Sequence, residues 1–141
     1  MQTVPVEIIL VDSGSTDDTL QIAAESGCRI LHYPKGQPFN YSKALNIGFA
    51  EAQTPYVLCF SSHSEFLRKD SLEALVRNLE FFKACCAYCN HQDSAFSSAQ
   101  DPSCLVETIY LDNFDGFNGL QSPAGLVRRD LWLAHPFDET L

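Results

Sequence analysis

Apolar residues fall in short runs broken by polar, glycine-bearing and proline-bearing stretches. Val6-Glu7-Ile8-Ile9-Leu10-Val11 is nearly continuous and aliphatic, the pattern of a strand covered on both faces. It stops at Asp12-Ser13-Gly14-Ser15, and helix signals follow at once. Ser15 or Thr16 can accept from backbone amides, Asp17 and Asp18 complement the positive helix end, and Leu20, Ile22, Ala23 and Ala24 supply an apolar face. Gly27 suits a left-handed close. Cys28 to Tyr33 reads as a second short strand, and Pro34, Gly36 and Pro38 punctuate a loop after it, so the opening spacing is β-α-β.

Asn40 or Ser42 starts a further helix through Ala44, Leu45, Ile47, Phe49 and Ala52, closed by Thr54-Pro55, although Gly48 within it costs about 1 kcal/mol relative to alanine. Tyr56 to Phe60 is a third buried-strand pattern leading into Ser61-Ser62-His63-Ser64-Glu65. The clearest helical period is Leu72, Leu75, Val76, Leu79 and Phe82, capped by Asp70 or Ser71. Residues 84–90 look like a strand of small residues, 92–103 a polar loop, Val106 to Leu111 another strand and 113–119 a turn-rich stretch. Gly125-Leu126-Val127 leads into a short helix from Arg129 through Leu133. Strands alternating with helices predict an α/β layer with a mainly parallel sheet, in one domain over residues 1–141.

Charge narrows the function classes. Nine Lys and Arg against 18 Asp and Glu give a net charge of −9, and the pI near 4.6 leaves no basic stripe for nucleic acid. No apolar run approaches the ~20 residues that span a bilayer, and the first residues lack a secretory pattern, which predicts a cytoplasmic protein. The six cysteines are then expected to be reduced.

Two polar clusters follow strand ends, where open parallel sheets bind ligands. One is Asp12-Ser13-Gly14-Ser15-Thr16-Asp17 and the other Ser61-Ser62-His63. Gly14 permits a tight turn, Asp12 can accept from a base or sugar, and the helix start offers amides to an anion. An ordinary solvated turn with a cap is the plain alternative, and for Lys43 it is a surface cation on an amphipathic helix.

Val11-Asp12-Ser13-Gly14-Ser15-Thr16-Asp17, then Phe39-Asn40-Tyr41-Ser42-Lys43-Ala44-Leu45-Asn46-Ile47-Gly48, then Ala52 and Tyr56-Val57-Leu58, resemble family-2 glycosyltransferases of the GT-A fold. Ser61-Ser62-His63-Ser64, Arg128 to Trp132 and His135 to Glu139 resemble a rhamnosyltransferase-like branch of that family. The resemblance implies a nucleotide-diphosphate-sugar site and a saccharide acceptor. Asp12 would bond the nucleobase beside Ser13 and Gly14, and Lys43 and Asn46, at i and i+3, would approach the diphosphate or sugar.

Where the family has an Asp-x-Asp element holding a divalent ion, this chain has Ser61 and His63, which weakens the expected manganese or magnesium site. His63 is either a single protein ligand or a direct donor to phosphate. Inverting transfer needs a carboxylate base, which in the family lies beyond the segment matched by Asp138 and Glu139, so no catalytic residue is nominated. The family's first strand has no counterpart here, which predicts a truncated, self-associating homo-oligomer or a degenerate relative. Cys85, Cys86, Cys89 and His91 lack a second convincing ligand pair, and no zinc is expected. Trp132 reads as core, and no serine has hydrolase-triad partners at nucleophile-elbow spacing.

Overall fold

The computed structural model describes residues 2–62, 64–88 and 124–140. The elements in chain order are β1 (Ile9–Asp12), α1 (Thr19–Glu25), β2 (Arg29–His32), α2 (Tyr41–Glu51), β3 (Tyr56–Phe60), α3 (Ser71–Phe81), β4 (Cys86–Tyr88), β5 (Ala124–Arg128) and α4 (Arg129–Ala134). They are divided between two compact units, one of Pro5–Val57 with Arg128–Leu141, the other of Met1–Val4 with Leu58–Val127.

The first unit contains the β-α-β pattern. Strands β1 and β2 are parallel, with Ile9 opposite Arg29 and Asp12 opposite His32. This register brings the carboxyl ends of both strands to one edge of the pair. The crossover helix α1 ends as its glycine requires: the Gly27 amide donates to Ala24 O at 3.0 Å and the Cys28 amide to Ala23 O at 2.9 Å, with Gly27 at φ 74°. Helix α2 lies against β1, where a Cβ built on Gly48 would meet Val11 Cγ2 at 3.5 Å.

Phe49, 1% exposed, is the centre of this unit's core, with the rings of Trp132 and Phe137 at 5.4 and 5.1 Å. The segment that carries those rings is also tied by polar bonds. Asn46 Oδ1 accepts from Trp132 Nε1 at 2.9 Å and from the Phe137 amide at 3.0 Å. Asn46 Nδ2 donates at 2.9 Å to Phe137 O and to a Glu139 carboxylate oxygen. Arg129 donates to the carbonyls of Phe49 and Ala50 at 3.2 and 3.3 Å, near the negative end of α2 where a cation is favoured.

Three strands lie in the order β3-β5-β4, and within the second unit β4 runs antiparallel to β5 with Cys86 opposite Val127. Helix α3 buries Leu72, Leu75 and Leu79. Its first-turn amide at Leu72 is satisfied by Gln2 Oε1 at 3.0 Å, while the Asp70 carboxylate is held by Arg68 at 2.8 and 2.6 Å.

The α/β class is as expected, but several details differ from the sequence reading. Among the described residues the strands fall into a parallel pair, β1-β2, as the mainly parallel α/β reading expects, and a group β3-β5-β4 in which β4 runs antiparallel to β5, the one pairing against that expectation. Helix α1 starts at Thr19, where the amide is bonded to Asp17 Oδ1 at 3.1 Å, and Ser15 instead serves the turn before it. Phe82, assigned to the apolar face of α3, is its C-cap and stands 47% exposed. The expected features at 92–103, Val106 to Leu111 and 113–119 lie outside the described residues. No helix among the described residues is long and apolar enough to cross a membrane.

Candidate functional site

The ends of β1 and β2 open on a cavity of about 370 Å³. On one side it is lined by the turn Asp12, Ser13, Gly14 and Ser15, with Leu20 behind it. On the other it is lined by His32 and Tyr33 at the end of β2 and by the loop through Pro34, Lys35, Gly36, Gln37 and Phe39. That volume falls in the usual range for small-molecule sites.

Asp12 is 6% exposed, the one buried charged side chain among the described residues. Its carboxylate organises the turn that follows. Oδ1 accepts from Ser15 Oγ at 2.5 Å and from the Ser15 amide at 3.0 Å, and Oδ2 accepts from the Gly14 amide at 3.0 Å. Gly14 stands at φ 117°, backbone that a side chain would strain, so the turn needs both the carboxylate and the glycine. The Ser15 hydroxyl and amide, helped by the Gly14 amide and by His32, hold the Asp12 carboxyl below its ordinary value against the opposing effect of burial. His32 Nδ1 lies 3.9 Å from Oδ2 across the register pair. The Ser15 amide also reaches Oδ2 at 3.3 Å, so each oxygen of the carboxylate receives two contacts from the turn, the longest of them this shared one.

Tyr33 fixes the opposite wall. Its hydroxyl donates to Pro38 O and accepts from the Asn40 amide, both at 3.0 Å, and its ring lies 5.5 Å from Phe39. The loop is thereby stapled to the start of α2, where Asn40 caps the helix by accepting from the Lys43 amide at 2.8 Å. Lys43 is the third residue of α2, a cation at the helix's positive end, an unfavourable position that an anion would offset. Its Nζ donates to Gln37 Oε1 at 2.5 Å, so the ammonium reaches the cavity wall through a residue that lines it.

The sequence-derived site residues therefore divide. Asp12, Ser13 and Gly14 line the cavity, and Lys43 touches its wall. Asn46 does not join them, since both ends of its amide are taken by Trp132, Phe137 and Glu139. Ser61 belongs to the other unit, where its carbonyl accepts from the Ser64 amide at 3.0 Å, and His63 lies outside the described residues. Asp138 is occupied by the Thr140 hydroxyl and amide, which lower its pKa. Glu139 accepts from Asn46.

No group of three His, Cys, Asp or Glu side chains among the described residues could hold a metal ion. Ser61 offers a neutral hydroxyl where the family carries a carboxylate, a poor donor for a hard divalent ion. His32, Lys35, Gln37 and Phe39 escaped the sequence reading. The signal was present: the strand-end rule applied to β1 applies equally to β2 and the loop that leaves it.

The 4,4'-diaponeurosporenoate glycosyltransferase of Staphylococcus aureus strain USA300 is 30% identical to the chain over 82 residues, 56% of this chain and 22% of that protein. The protein of the same name from strain MRSA252 is 32% identical over 82 residues. The chain thus spans about a fifth of the length of the curated relatives it matches, 22% in each of these. No solved structure matches it. The profile of Glycosyl transferase family 2 matches residues 2–121, which is most of the sequence, and the chain belongs to that family.

Proposed function

We propose that this chain supplies the donor-nucleotide site of a glycosyltransferase that takes a nucleoside-diphosphate sugar, and that the whole protein transfers the sugar to an acceptor hydroxyl with inversion. The single observation that carries this is the cavity at the paired ends of β1 and β2, with an ionised, buried Asp12 on one wall and an ammonium held to the other. A nucleobase N–H fits Asp12 Oδ2 in place of the long 3.3 Å contact from the Ser15 amide, which keeps its shorter bond to Oδ1. The diphosphate fits the side of Lys35 and Lys43, two cations beside the same loop of an otherwise acidic chain.

The family's inverting reaction requires a base that takes the acceptor proton as its oxygen attacks the anomeric carbon, while the nucleoside diphosphate leaves with the bonding electrons. Asp138 and Glu139 are committed to Thr140 and Asn46, so neither is assigned that role. The rhamnosyltransferase-like motifs favour a deoxyhexose donor.

Calorimetry of the chain with uridine, guanosine and thymidine diphosphates, with and without manganese, tests the proposal. Binding of at least one is expected, lost in Asp12→Ala and weakened about tenfold or more in Lys43→Ala. If none of the three bound at millimolar concentration, the donor-site reading would fail.

A further inference from the structure

Lys43 does not stand open to an incoming anion. Its ammonium is engaged by the side-chain carbonyl of Gln37 at 2.5 Å, and Gln37 lies in the loop that walls the cavity. The rest of the arrangement restricts what can move when that contact breaks. The base of the loop is pinned by Tyr33, which bonds Pro38 O and the Asn40 amide. The backbone of Lys43 is pinned by its amide bond to Asn40 Oδ1. What remains free to exchange is the end of the Lys43 side chain, and its present partner is a neutral amide.

On the donor-site reading above, on which this rests, we infer that Gln37 is a positioning residue: it holds the Lys43 ammonium at the cavity wall and yields it to the diphosphate of the bound nucleotide. A neutral carbonyl suits this task, because a phosphate oxygen makes a stronger charge-assisted bond to the same ammonium and displaces it. A carboxylate at the same place would compete with the phosphate for Lys43 and also repel it. Binding of the diphosphate therefore includes the work of breaking the Gln37–Lys43 contact, whereas binding of the nucleoside alone does not.

Gln37 is exposed, so its replacement leaves the core intact. The test measures, by calorimetry on the full chain, the diphosphate that the wild type binds most tightly and its parent nucleoside, in wild type, Gln37→Ala and Gln37→Glu. Gln37→Glu is expected to weaken the diphosphate by about tenfold and Gln37→Ala to tighten it by about two- to fivefold, with nucleoside affinity unchanged in both.

A loop residue with a purely structural role would move both ligands together, and that outcome overturns the inference. So does weakening of the diphosphate by Gln37→Ala, which would make Gln37 a direct ligand contact, or unchanged affinity in both variants. In each of these cases the donor-site reading survives if the wild type binds, Asp12→Ala does not and Lys43→Ala binds about tenfold more weakly. Absence of diphosphate binding by the wild type removes the reading and the inference together.

Discussion

At the scale of single residues, Asp12 is better understood as the keystone of a turn than as a bare ligand. Its position at the end of an aliphatic run before Ser-Gly-Ser was legible in the sequence, and so was the need for Gly14. The number of its acceptor positions spent on Ser15 and Gly14 was not, because turn geometry is set by dihedral angles rather than residue type. This predicts a specific acid response. The folded carboxyl titrates below the ordinary 3.8, so its stabilisation is complete above that value and is lost as pH falls through the lower folded value. Urea unfolding at a series of pH values should show stability falling below about pH 4 in the wild type, with a shallower fall in Asp12→Asn. Parallel profiles would mean that the carboxylate does not support the turn. Asn46 makes the complementary point: helical spacing puts it one turn from Lys43, yet its partners lie 86 to 93 residues further on, beyond any local pattern.

At the scale of elements, periodicity located α2 and α3, and ordinary capping rules located the ends of some helices but not others. Gly27 closes α1 as the sequence suggests. Helix α3 closes in the same way without a glycine: the Lys83 amide donates to Glu80 O at 3.2 Å and the Ala84 amide to Leu79 O at 3.0 Å, which holds Lys83 at φ 50°. A side chain in that left-handed region is strained, and glycine relieves it. Lys83→Gly should therefore stabilise the chain by about 1 kcal/mol, read as a higher urea midpoint at unchanged slope. An unchanged or lower midpoint would show that the lysine side chain contributes more than the strain costs. The start of α3 escaped the local rules for a related reason: Asp70 is in the right place to cap it, but Arg68 takes the carboxylate and Gln2, 70 residues earlier, serves the Leu72 amide.

At the scale of the whole molecule, the order of strands and helices could be read from hydrophobic period, and the family from a set of ordered motifs. The antiparallel pairing of β4 with β5 and the discontinuous make-up of both units could not, since each depends on which distant segments meet. The first unit is the clearest case. Phe49 is enclosed by Trp132 and Phe137, and truncating it should cost about 3–5 kcal/mol, a large part of the stability of a chain this size. Thermal unfolding of Phe49→Ala followed by circular dichroism checks this, and a loss below about 1 kcal/mol would mean that the ring is not the core's centre. Because those two rings come from residues 132 and 137, the Phe49 ring of α2 lacks their cover while the intervening stretch is still being made on the ribosome. At ordinary translation speeds of ~5–20 residues per second, that leaves several seconds in which a nascent greasy surface is open to chaperones or to sticking.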